Sequence, residues 1–241
     1  MKRSITAAVV PGLAVAGLRA WLYAVALDEK NLLIPFHPLE LLLWAVTAVT
    51  VATLLWWARK RSSACGEAPS GRIAALGCFA LALALVPEVL SLRGNAFTLM
   101  EKLSFWGGAL CVPGMFCAGI SQLRRKAPFF AFHALLCVWI CLHLVVTYRV
   151  WSGDPQLMDY VFPMLANVCL GLFAYQVASW EAGSFSAGGV RFWGLMSLFF
   201  CAASLGSADS LFYAAGAVWA LTNVCRLSPV SGNPGESGKE L

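Results

Sequence analysis

Apolar residues fall in long unbroken runs along the chain, and charges, prolines and glycines collect between the runs. Eight runs can be drawn, at about 5–27, 38–58, 73–92, 98–120, 128–149, 155–179, 190–206 and 208–226. Most hold roughly 20 residues, which at about 1.5 Å per helical residue matches a hydrocarbon core of about 30 Å. A membrane barrel would instead need alternating segments of about ten residues, and the chain has no such pattern. The runs therefore predict an all-α fold, a polytopic integral membrane bundle of about eight transmembrane helices. They would be arranged as four hairpins in a single domain over residues 1–226. A seven-span alternative fuses the last two runs into a helix of about 37 residues and moves the C-terminus to the other side.

Composition sharpens this picture. The 241 residues are 60% hydrophobic and 12% charged, against about 25% charged in a soluble domain, so a water-facing globule could not be covered. The net charge of +5 matters less than its placement. Lys2/Arg3, Arg59/Lys60/Arg61/Arg72, Arg124/Arg125/Lys126, Arg191, Arg226 and Lys239 fall on one side of an eight-span chain, leaving Lys30, Arg93, Lys102 and Arg149 opposite. By the positive-inside rule this places both termini in the cytoplasm of a cell-membrane protein. It is a topology signal, so nucleic acid is not an expected partner.

The first run has a basic start and a small-x-small triplet, Ala14-Val15-Ala16, as a secretory signal would. The apolar run continues to Leu27, however, which favours a retained span. The tail 227–241 is rich in Pro, Gly and Ser and is expected to be a disordered cytoplasmic extension. Eight of the nine cysteines lie in spans and Cys65 lies in a cytoplasmic loop, so no external disulfide framework is available.

The costly residues are few. Four helices running inward carry an acid near their start: Glu40, Glu101, Asp159 and Asp209. "HPLE" places Pro38 at the first helical position and Glu40 in the first turn, and "TLME" is a capping-box pattern with Thr98 and Glu101. "SADS" offers Ser207 or Asp209 as an N-cap, so all three of these acids have a capping explanation. Asp159 differs, because Asp154 and Pro155 already supply a start and leave it beyond the first turn. Glu88, in "LVPEVLSLR", meets the unfavourable negative end of its helix dipole and needs a cation. Arg93 at the helix end is the simple candidate.

Arg19 is the least comfortable of all. It sits in "AVAGLRAWLYAVAL" (residues 14–27), about eight residues or roughly 12 Å inside the outer boundary. A charge near mid-depth costs about 2.5–3.5 kcal/mol or more, so Arg19 is expected to pair with an acid on another span, Glu88 first and Asp159 second. His143 lies in the outer part of its span and could join that cluster. Asn167 sits near the midplane in a stripe with Tyr160, Pro163, Gly171, Ala174 and Ala178, a face of the kind that packs on another helix. Pro163 could kink that helix, as in discontinuous transporter helices, and an ordinary packed face is the favoured reading. Gly12, Ala16 and Ala20 form a similar small-residue stripe one step round from Arg19. His133, Cys137 and Cys141 share a helical face, but no second cluster completes a metal site.

Function is expected to be small-solute or ion transport, as a transporter or a transport subunit. The candidate substrate-binding or ion-pair residues are Arg19, Glu88, His143, Asp159 and Asn167, in the outer half of the membrane. The alternative is a non-transporting sensor, scaffold or assembly partner whose ion pair is structural. An enzyme is least favoured, because neither G-x-S-x-G nor H-E-x-x-H occurs. No cofactor or metal is expected. The expected partners are the lipid bilayer, a small solute, ion or proton, and other membrane subunits.

Overall fold

A computed structural model describes residues 2–26, 37–60, 65–67, 71–93, 98–124, 129–151, 158–184 and 187–229. Eight helices follow in order: α1 Lys2–Val25, α2 Pro38–Lys60, α3 Gly71–Arg93, α4 Leu99–Leu123, α5 Ala131–Trp151, α6 Met158–Glu181, α7 Ala187–Ala203 and α8 Ser210–Arg226. The all-α polytopic bundle expected from the apolar runs is what forms. Six helices, α1 to α6, are long and apolar enough to cross a bilayer. The last two runs stay separate, with α7 and α8 at 17 residues each, or about 25 Å of helix.

Helices α3, α4, α5, α6, α7 and α8 each pack on the next, and α8 returns to α3, closing a ring of six. The α1–α2 hairpin docks on the ring through α7. This makes α7 the hub of the bundle: residues 194–204 are all buried. A helix enclosed by protein on every side need not present a full bilayer-length apolar surface to lipid, which accounts for its shortness. Helix α1 lies at the other extreme, with Val10, Leu13, Trp21 and Val25 exposed. Large apolar side chains facing outward are stable where the surroundings are hydrocarbon.

Local chemistry sets several helix starts. In α4 the capping box is complete: Thr98 Oγ1 accepts from the Glu101 N–H at 3.3 Å, and Glu101 Oε2 accepts from the Thr98 N–H at 2.8 Å. In α2 the His37 ring accepts from the Leu39 N–H at 3.3 Å, just ahead of Pro38 and Glu40. The proposed start at Asp154 and Pro155 lies outside the described residues. Helix α6 runs through Pro163 to Glu181 as one helix, so the interrupted helix considered for this segment is not formed. The tail departs from expectation at its beginning: Leu227–Pro229 pairs antiparallel with Cys65–Glu67, which links the exit of α8 to the segment after α2.

The small-residue stripe of α1 is also displaced. Ser4, Ala8, Gly12, Val15, Arg19, Leu22 and Ala26 are buried, whereas Ala20 is exposed and Ala16 is only partly covered. The steps of three and four residues define one helical face, and Arg19 lies on it. A Cβ at Gly12 would stand 2.7 Å from the Phe199 carbonyl oxygen and 2.7 Å from Ala202 Cβ, so this glycine is what lets α1 approach α7 closely.

Candidate functional site

Among the described residues Arg19 forms no ion pair with an acid; the Asp159 side chain, its second expected partner, lies outside them. Its Nη1 donates to the Ala203 carbonyl at 3.4 Å, and the side chain is buried. Ala203 is the last residue of α7, where carbonyls lack helical partners and the dipole is negative. The other carbonyls of that turn are taken locally. Ser204 N–H and Oγ serve Phe200, Ser204 N–H also reaches Cys201, and Leu205 N–H serves Ala202. Arg19 supplies the remaining donor from a different helix. The expected Arg19–Glu88 pair is thereby replaced by a guanidinium closing a helix C-terminus, which provides negative charge density without a carboxylate.

Glu88 instead meets two other side chains. One carboxylate oxygen of Glu88, one ring nitrogen of His143 and one carboxylate oxygen of Asp209 lie within 4.8 Å of one another. Each comes from a different part of the ring: α3, α5 and the turn that opens α8. Helix α5 aims His143 inward because His133, Leu136, Trp139, Ile140, His143 and Val146 form its buried face. Trp139 stacks on the His143 ring with centroids 5.0 Å apart, and Phe212 flanks it at 6.2 Å. His143 is 6% exposed, and its Nδ1 has no hydrogen-bond partner among the described residues.

Asp209 combines the backbone position of a cap with a second setting for its carboxylate. Its carbonyl accepts from the Tyr213 N–H at 3.2 Å, so the backbone begins α8 as a cap residue does. Its carboxylate belongs to the cluster with Glu88 and His143. The same residue lines a cavity of about 240 Å³ together with Arg19, Tyr160, Pro163, Gly206, Ser207 and Ala208. Gly206, at φ +97°, provides the left-handed step that reverses the chain between α7 and α8. The lining therefore includes one basic and one acidic residue.

Of the five residues predicted for the site, Glu88 and His143 are brought together, and Arg19 lines the adjoining cavity. Asp159 is the second residue of α6, and its side chain lies outside the described residues. Asn167 is fully buried and its Nδ2 donates to the Tyr213 hydroxyl at 3.1 Å, with that hydroxyl directed at the Pro163 carbonyl. This joins α6 to α8.

A second polar centre has no counterpart among the predicted residues. His133 Nδ1 and Glu181 Oε2 are 2.7 Å apart, with side-chain exposures of 0% and 4%. The His133 ring stacks on Trp219 at 5.8 Å. On the face that His133 shares with Cys137 and Cys141, Cys141 is exposed. The signal was present: Glu181 ends α6, where an acid opposes the dipole and calls for a partner.

Comparison with protein-family models, with curated proteins and with solved structures returns no match. The site has to be read from its own geometry.

Proposed function

We propose that the protein is a small-solute or ion transporter, or a transport subunit, in the cell membrane with both termini cytoplasmic. Its polar site would lie in the outer half of the bundle. The observation that carries this reading is the double position of Asp209, in the Glu88–His143 cluster and in the lining of the cavity beside Arg19. Two carboxylates so close in a low-dielectric setting repel unless they share a proton or hold a cation. The orientation rests on the basic loops. Reporter fusions after residue 65 and at the C-terminus should read cytoplasmic, and one after residue 153 should read external.

The test is flux into vesicles reconstituted with purified protein. Proton or cation uptake is expected in wild type and should fall at least about tenfold in Glu88→Gln and in Asp209→Asn, since each removes a charge that favours the cation. The reading fails if folded wild type passes no proton, metal cation or small anion. A scaffold reading is favoured by one observation, the use of Arg19 as a structural cap on α7. It predicts that folded protein is inert in every such assay.

A further inference from the structure

We propose that Glu88, His143 and Asp209 form a binding site for a divalent transition-metal cation of the Zn²⁺ type. The proposal rests on the transport reading only for the metal's role as cargo; the site itself stands on its geometry. Three ligand atoms at about 2.1 Å from a common ion lie roughly 3.0–3.6 Å from one another. The three side chains hold theirs within 4.8 Å, so small side-chain rotations would close the set.

The histidine is prepared for this role. Thr147 Oγ1 lies 2.7 Å from the His143 carbonyl and spends its one proton there. Towards His143 Nε2, at 3.5 Å, the same oxygen can then act only as an acceptor. This favours the tautomer with the proton on Nε2 and leaves the lone pair on Nδ1, the nitrogen that has no partner among the described residues. A second contact that fixes the tautomer and ring orientation is the usual support of a metal-bound imidazole. Stacking on Trp139 restrains the ring further.

The donor set selects the ion. Two carboxylates balance the charge of a dication, as burial away from water requires. An imidazole nitrogen suits zinc and its neighbours, whereas calcium and magnesium prefer all-oxygen shells. Three protein ligands leave a coordination position for water or for an anion. Asp209 also lines the neighbouring cavity with Arg19.

Full-length protein in detergent, stripped with a chelator, would be titrated with Co²⁺ as a spectroscopic probe and with Zn²⁺ in competition against a chelating dye. One equivalent of Co²⁺ should develop visible d–d bands of a four- or five-coordinate site, and Zn²⁺ should displace it where Mg²⁺ does not. Glu88→Gln, Asp209→Asn and His143→Ala should each weaken binding at least about tenfold, and Thr147→Val about tenfold through the ring alone. His143→Cys keeps a metal-binding atom and should add a sulfur-to-cobalt charge-transfer band. That band identifies position 143 as a ligand even if the alanine variant does not fold. Folded wild type without these bands, or bands unchanged by the Cys substitution, would overturn the site. Metal binding without flux would leave the site standing and remove the transport reading. Proton flux without Co²⁺ binding would remove the site and leave transport.

Discussion

Glu181→Ala is expected to destabilise the folded protein by about 3 kcal/mol or more, the range seen when one partner of a buried pair is removed. The alanine leaves His133 Nδ1 without an acceptor in a site that is 0% exposed, between α5, α6 and the Trp219 ring of α8. Glu181→Gln, which keeps an oxygen acceptor, should cost less. His133→Leu combined with Glu181→Leu should recover part of the loss, since two apolar side chains strand nothing. Equilibrium unfolding in mixed micelles would measure all three. A Glu181→Ala loss no larger than that of Glu40→Ala, in the first turn of α2, would refute the pairing.

At Gly12 the expected effect is steric. Alanine should cost about 1–3 kcal/mol by overpacking, because its methyl group meets both a backbone carbonyl and a side chain of α7 at 2.7 Å. Leucine should prevent α1 from docking and pull Arg19 off the Ala203 carbonyl. Gly17 provides the control on the same helix: a Cβ there meets nothing within 4 Å. Gly17→Ala should stabilise by up to about 1 kcal/mol through helix propensity. Disulfide trapping between introduced cysteines on α1 and α7 would report docking directly. Equal trapping in wild type and Gly12→Leu would contradict the close approach.

The helices were legible in the sequence because the bilayer imposes one strong rule, a long apolar run. The separation of α7 from α8 and the capping box at Thr98 and Glu101 could be read from local residues for the same reason: their causes lie within a few positions. What the sequence concealed depends on helices far apart in the chain. Arg19 calls for a partner on another span, and the expected partner is an acid; a helix C-terminus also supplies negative charge density, and no pattern announces which terminus will lie beside it. Asp209 had a sufficient local explanation as a cap, and that explanation hid its carboxylate's second setting. Glu88 and His143 were each flagged by position, and only the packing of α3 against α8 and of α5 across the ring shows that they share a centre. Glu181 obeyed the same dipole argument as Glu88, so its pairing was open to inference from the residue alone.

Arg19 and the carbonyl that receives it are 184 residues apart. At ribosomal rates of about 5–20 residues per second, roughly 10–40 s separate the synthesis of the two. Through that interval the first helix carries a guanidinium whose eventual acceptor has not yet been made. The nascent chain must therefore keep this charge near water, near lipid phosphate or within the insertion machinery until α7 arrives. Completion of the hub would then be the event that commits the amino-terminal hairpin to its final depth.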